Sequence, residues 1–157
     1  MHIRNAENKD APQILSLLSQ VLEVHAALRP DLFVSGTTKY TQQELYAIFR
    51  DTQRRTFVAV DDSDNVLGYA FCEIRDHTHA NNLVPHTELY VDDLCVDSTA
   101  RGKNVGTALF RHVQQAARAL GCYTVTLSVW TGNDGAKAFY DKMDMTPRYT
   151  MLEWIVT

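Results

Sequence analysis

Residues 89–120 constrain the fold more than any other stretch, because a strand pattern runs through a glycine-bearing turn straight into an amphipathic helix. LYVDDLCVD is rich in residues that favour strands. Val105, Ala108, Leu109, Val113, Ala116 and Leu120 then recur at the spacing of one helical face. Between them lie Arg101, Gly102, Lys103, Asn104, Val105 and Gly106. Glycine and asparagine accept backbone angles that other residues avoid, and Gly106 brings no side chain to hold a ligand away. A turn of this kind before a helix exposes unpaired N–H groups with the helix dipole behind them, which suits a pyrophosphate. The turn is neither a GxxxxGKS/T Walker loop nor a dinucleotide GxGxxG. The phosphate reading therefore rests on its context: a strand before it, a helix after it, and two cations, Arg101 and Lys103, inside it.

The remaining chain reads as alternating elements. His2 to Asn5 is a short strand. Asp10 and Pro12 open a helix whose stripe is Ile14, Leu17, Leu18, Val21, His25 and Leu28, closed by Arg29-Pro30. After a loop, Thr41 with Glu44 forms a capping box ahead of Leu45, Ile48 and Phe49. Thr56 to Val60 and Val66 to Ile74 pair around the DDSDN turn, and Arg75 to Thr87 is a long polar connection. Past the central unit, Gly121 stops the helix, and Thr124 to Val129 alternates as a strand. Asn133 or Asp134 caps a short helix that Pro147 ends, and Tyr149 to Val156 reads as a final strand. The order is β-α-α-β-β-β-α-β-α-β, an α/β arrangement with a mixed sheet and helices on its faces.

A chain of 157 residues is expected to form a single domain, 1–157. A net charge of −4 with scattered Lys and Arg argues against nucleic acid as a partner. No apolar run approaches bilayer length and the N-terminus lacks a secretory core, so no membrane association and a cytoplasmic location are expected. Cys72, Cys95 and Cys122 have no CxxC spacing and read as reduced interior thiols. His77, His79 and His86 read as members of a solvated loop rather than a ligand set.

The segment DLCVDSTARGKNVGTALF resembles the acyl-CoA-binding motif of the GNAT superfamily of N-acetyltransferases. That motif has an Arg or Gln, two residues, a Gly, one residue, then Gly or Ala. Arg101 and Gly106 stand at its ends and Asn104 at the middle glycine, where asparagine is next best suited to a left-handed angle. NDGAKAFYDKM is similar to the family's downstream segment, although Asp144-Met145 follows where Gly-Phe is frequent. The resemblance implies a mixed, mostly antiparallel sheet of about six or seven strands flanked by about four helices. It implies acetyl-CoA as co-substrate and no metal. Leu94, Cys95 and Val96 would pair through their backbone with the pantetheine arm as an added strand. N–H groups from Arg101, Gly102, Lys103, Asn104, Val105, Gly106 and Thr107 would hold the pyrophosphate, with Asn133 beside the cofactor and Tyr140 near its sulfur.

Direct acyl transfer to an amine needs a proton acceptor for the amine, donors for the oxyanion and an acid for the departing thiolate. Tyr140 is the candidate acid. Asp92 is the candidate base, favoured by the place an acid holds in some polyamine-acetylating relatives, with Asp93 and Glu88 as the other carboxylates nearby. Strand alternation predicts that Asp92 and Asp93 face opposite ways. Cys95, inside an apolar strand, reads as an inert thiol. His25, Arg29, Phe33 and Tyr40 lie where this fold borders its acceptor. The expected acceptor is a small-molecule amine such as a polyamine, amino acid or amino sugar. A protein N-terminus or lysine, or a catalytically silent acyl-CoA-binding module, is the alternative. TMLEWIVT, apolar on both faces, raises the expectation of a homodimer.

Overall fold

The structure, a computed structural model, describes residues 1–156. Strand β1 (His2–Asn5) leads through a short 3-10 turn into helix α1 (Ala11–Leu28). Pro12 occupies the first turn, where its missing N–H leaves no hydrogen bond unmade, and Ile14, Leu17, Leu18, Leu22 and Ala26 form the buried stripe. Asp10 precedes α1 but does not cap it with its side chain. Its carboxylate is buried and takes two bonds from Arg4, at 2.7 and 2.9 Å, and one from the Glu7 N–H at 2.8 Å. Helix α2 (Gln42–Arg50) carries the expected capping box: Thr41 N–H donates to Glu44 at 2.7 Å and Glu44 N–H to the Thr41 hydroxyl at 3.3 Å.

Strands β2 (Arg54–Val60), β3 (Val66–Asp76) and β4 (Thr87–Val96) form an antiparallel meander, with β1 antiparallel to β2. Helix α3 (Val105–Ala119) crosses over to β5 (Thr124–Leu127), which lies parallel to β4, and α4 (Asp134–Lys142) follows. The sheet order is β1-β2-β3-β4-β5. Helices α1 and α2 cover one face, against Val58, Val60, Tyr69, Phe71 and Cys95. Helix α3 covers the other, against Phe57, Ala70, Leu89 and Val91, with Phe139 and Tyr140 of α4 packed alongside. Among the described residues no helix is long and apolar enough to cross a membrane.

Three expectations are corrected. The sheet has five strands, not six or seven, because residues 146–156 form no strand and stand largely exposed. The β3–β4 hairpin runs further than its polar sequence indicates, since register pairs such as Arg75↔Glu88 and Asp76↔Thr87 extend the ladder and leave residues 77–86 as the loop. Strand β5 stops at Leu127, two residues early, where β4 leaves it.

Gly68 fixes the closest approach of sheet and helix. A Cβ there would fall 2.7 Å from the Cys95 carbonyl oxygen and 3.1 Å from Leu109 Cδ1, so the backbones of β3 and β4 meet only around a glycine. Gly68→Ala should therefore lower folding stability by about 1–3 kcal/mol, the usual cost of overpacking a core. Chemical denaturation measures this, and an unchanged midpoint would contradict the packing described.

Candidate active site

Strand β4 pairs with β5 from Glu88↔Thr124 to Val91↔Leu127 and no further. Its pairing with β3 continues through Asp93↔Phe71, Leu94↔Ala70, Cys95↔Tyr69 and Val96↔Gly68. The edge of β4 that faced β5 is thus left open from Asp92 onward, and its N–H and C=O groups can accept an extended ligand as an added strand. Leu94, Cys95 and Val96 lie on this open edge. The Cys95 thiol points into the α1 side of the core, 3.6 Å from the Leu17 carbonyl oxygen, and burial pushes it up to about 12. A thiol so held is not a nucleophile.

The same segment contains a β-bulge. Phe71 pairs with Asp93 and Cys72 with Val91, so Asp92 is an extra residue in β4. This overturns the expectation that the two acids face opposite ways. Regular alternation puts Tyr90 and Asp92 opposite Val91, on the α1–α2 side, and the extra residue brings Asp93 to that side as well. Lys39 Nζ donates to Asp92 Oδ2 at 2.7 Å and the Tyr40 hydroxyl to the same oxygen at 3.0 Å. Asp92 Oδ1 is unengaged among the described residues. The Tyr69 hydroxyl donates to Asp93 Oδ2 at 2.9 Å. Asp93 is partly shielded, and desolvation, opposed by the Tyr69 bond and Lys39, pushes its carboxyl up to about 6. Burial pulls the Lys39 ammonium down, but the bond to Asp92 and the charges of Asp92, Tyr40 and Asp93 together outweigh this and leave it above its ordinary value.

Glu88 is not brought to this place. It is buried four residues back along β4, roughly 13 Å away at strand rise. There Arg148 donates to it at 3.0 Å, with His77 at 3.5 Å and Arg75 at 4.0 Å. The hairpin register gathers His77, His86 and Glu88 so that their ligating atoms lie within 4.8 Å of one another, a grouping the sequence spacing did not reveal. Two guanidinium groups already neutralise the Glu88 carboxylate.

After β4, Asp97 caps a short 3-10 turn at Ser98–Ala100, and the chain enters the predicted phosphate turn. Gly102 has φ 75° and Asn104 has φ 61°, both left-handed. Asn104 therefore adopts the conformation for which asparagine is suited. Its side chain does not cap α3, and the first internal bond runs from Ala108 N–H to the Asn104 carbonyl. The N–H groups of Val105, Gly106 and Thr107 consequently have no acceptor within the helix, an open anion site. Arg101 and Lys103 are exposed beside it, Arg101 reaching back to the Val96 carbonyl at 3.5 Å. The bare side of Gly106 faces Phe139 and Val96 at 3.4–3.5 Å, so it serves the seating of α3 on α4 rather than ligand approach.

Asn133 caps α4, its Oδ1 accepting from Ala136 N–H at 3.1 Å, and lines an open cleft of about 450 Å³ with Gly132, Glu23, Val24, Ala27 and Leu28. Neither Asp92 nor Asp93 lines that cleft. Tyr140 packs on the α3 side against Phe110 (5.5 Å) and Phe139 (5.0 Å). Burial, then the charge of Asp93, raises its pKa, so the phenol keeps its proton. The acids and Tyr140 thus stand on two sides of the gap that β4 leaves. Around the acid side, Phe33 packs tilted against His25 (5.2 Å) and meets Trp130 edge-on (5.5 Å), while Arg29 lies over Trp130 at 5.9 Å. Burial and the Lys39 charge hold His25 toward its neutral form. Lys39, Tyr69 and Trp130 are site residues that sequence reasoning missed, since each is joined to the site only by long-range contact.

The profile of the Acetyltransferase (GNAT) family matches residues 21–145. The chain belongs to the GNAT family. No curated protein matches it. A crystallised mutant of the BH1408 protein from Bacillus halodurans shares 27% identity with this GNAT protein and superposes with a TM-score of 0.95 over 100% of both chains. Glucosamine-6-phosphate N-acetyltransferase from Arabidopsis thaliana is 20% identical, with a TM-score of 0.73 over 99% of this chain and 98% of that one. An aminoglycoside acetyltransferase from an uncultured soil metagenomic sample, crystallised with sisomicin, is 16% identical, with a TM-score of 0.72 over 99% and 95%.

The raised Asp93 pKa has a consequence for stability. The folded value lies above the ordinary carboxyl value of 3.8, so the folded state holds this proton more tightly than the unfolded chain. The stability contributed is fully present below pH 3.8 and is lost as pH rises through about 6. Asp93→Asn should therefore gain melting temperature relative to the parent as pH is raised from acid to above 6. A difference in melting temperature that does not change with pH would contradict the assignment.

Proposed function

We propose that this GNAT acetyltransferase moves the acetyl group of acetyl-CoA directly to the primary amine of a small molecule, of polyamine, amino acid or amino-sugar type. One observation carries the acceptor class: Asp92, at the parting of β4 and β5, already holds a primary ammonium, that of Lys39, at 2.7 Å. A site that binds one alkylammonium on a carboxylate and a phenol has the chemistry to bind another. The aminoglycoside acetyltransferase and glucosamine-6-phosphate N-acetyltransferase share this fold, which supports an amino-sugar acceptor. The donor reading rests on the open first turn of α3 and the free edge of β4.

In this reading the pyrophosphate takes the N–H groups of Val105, Gly106 and Thr107, with Arg101, Gly102, Lys103 and Asn104 forming the turn around it. The pantetheine arm pairs along Leu94, Cys95 and Val96, and Asn133 borders the cofactor from the start of α4. An ordinary amine stands about 3.4 pKa units above neutral pH, so presenting its free base costs roughly 4.6 kcal/mol. Asp92, through its free Oδ1, takes that proton as nitrogen attacks the thioester carbon. A backbone N–H of the open edge stabilises the oxyanion. The C–S bond then breaks, and Tyr140 donates its phenolic hydrogen bond to the departing thiolate. The whole chain acts as one catalytic domain, and its three free thiols suit a reducing cytoplasm.

A thiol-release screen with acetyl-CoA across polyamines, amino sugars, amino acids and peptides tests this reading. Turnover with small primary amines is expected, and acetyl-CoA binding without transfer to any amine would make the protein a silent acyl-CoA module. On the best acceptor, Asp92→Asn and Tyr140→Phe should each lower kcat about 100-fold, the scale of one acid–base group, with acetyl-CoA affinity retained. Full turnover in either variant removes that residue from the chemistry. Lys39→Met should lower the acceptor KM by freeing Asp92, and a raised KM would instead make Lys39 part of the acceptor site.

A further inference from the structure

Of the five lysines in this chain, one reaches the carboxylate that the acetyl-transfer reading uses as its base. Lys9 lies between Glu7 (3.1 Å) and Asp64 (2.6 Å), Lys137 holds Asp141 within α4 (2.8 Å), and Lys103 and Lys142 stand exposed. Lys39 instead donates from Nζ to Asp92 Oδ2 at 2.7 Å. Its backbone is held for this contact. The next residue, Tyr40, donates its hydroxyl to the same oxygen at 3.0 Å and sets its ring edge-on against Phe71 at 5.6 Å. The Thr38 hydroxyl donates to the Tyr40 carbonyl at 2.9 Å. The long flexible stem of a lysine anchored in this way brings its nitrogen to the acid.

We infer that Lys39 is itself an acetyl acceptor, modified on Nζ by the acetyl-CoA bound to its own chain. The inference rests on the acetyl-transfer reading of the site, in which Asp92 takes the proton of an amine as it attacks. An amine served by that base lies within hydrogen-bond reach of the carboxylate, and a thioester placed for attack lies about 3–3.5 Å from the same nitrogen. The Lys39 nitrogen already meets the first condition. Being part of the chain, it meets the thioester without the entropic cost of a second binding event. The ammonium gives one proton to Asp92, which passes it to water. The freed lone pair forms the N–C bond, and the C–S bond breaks with its electron pair on sulfur. The second proton lost by nitrogen ends on that sulfur by way of the Tyr140 phenol. The products are a neutral amide on Lys39 and the free coenzyme A thiol.

The change of charge alters the site. Acetylation removes the cation of a lysine, so the ion pair to Asp92 is gone and the carboxylate is open to an acceptor from solution. The first acetyl group stays on the protein, and later ones go to the substrate.

Incubation of the whole protein with acetyl-CoA and no acceptor, followed by peptide mass spectrometry, tests this. Lys39 should gain one acetyl group about 100-fold faster than Lys9, Lys103, Lys137 and Lys142, the scale of one acid–base group, at a first-order rate that does not change with protein concentration. Asp92→Asn should bring Lys39 down to the rate of the other four. Calorimetry without acetyl-CoA should show putrescine binding more tightly to the acetylated protein than to the untreated one, and an unchanged affinity overturns the release of Asp92. Acetylation of Lys39 no faster than that of the other lysines, or one that quickens with protein concentration, overturns the proposal. So does an unmodified Lys39 in a protein that turns over small amines, a result that leaves the acetyl-transfer reading standing. Acetyl-CoA binding with neither Lys39 nor any small amine acetylated overturns that reading and the proposal with it.

Discussion

The parting of β4 from β5 is the constraint on which the rest of this protein's site depends. It coincides with one extra residue, Asp92, at which the register of β4 on β3 shifts by one while that pairing continues to Val96. The bulge re-phases everything after it: Cys95 turns to the α1 core, and Leu94 and Val96 turn to the α3 side. Regular alternation through Val91, Asp92 and Asp93, with no bulge, would exchange those faces and carry Asp93 into the apolar layer beneath α3. One irregularity thus sets the second core, frees a run of backbone groups and gathers two carboxylates.

Two nearby carboxylates in a partly dry place repel each other, and the fold answers from two elements. Lys39 and Tyr40 come from the loop before α2 and Tyr69 from β3. Their hydrogen bonds do not fully restore what Asp93 loses in leaving water, since its carboxyl stays well above the ordinary range. Strain of this sort is common where a fold is shaped around chemistry rather than around its own stability. The remaining acid of β4 follows the opposite rule. Glu88 is buried too, but cations and an imidazole surround it, and it acts as a structural anchor.

Local features were legible in the sequence because each is decided within a few residues. The Thr41–Glu44 box, the left-handed Asn104, the Asn133 cap and the stripe of α1 all depend on short-range geometry, and all four are present. What escaped depends on partners far along the chain. A bulge is a mismatch between two strands, so the ELYVDDL stretch of one of them cannot display it. Lys39 meets Asp92 across 53 residues, and His77 meets His86 only through the hairpin register. The apolar pattern of residues 149–156 was visible, but a strand needs a neighbour, and this chain does not supply one to itself.

In the proposed acceptor site, Lys39 would also decide which amines can enter. A tethered ammonium occupies Asp92 at an effective concentration on the order of millimolar or higher, set by the short loop that carries it. Ammonium ions and simple monoamines below that level leave the carboxylate closed. An acceptor that brings a second foothold, such as further amino or hydroxyl groups against Trp130, Phe33 or Glu23, competes on better terms. The resting protein thus sets its own threshold, and selectivity among cations follows from what the substrate has besides its charge.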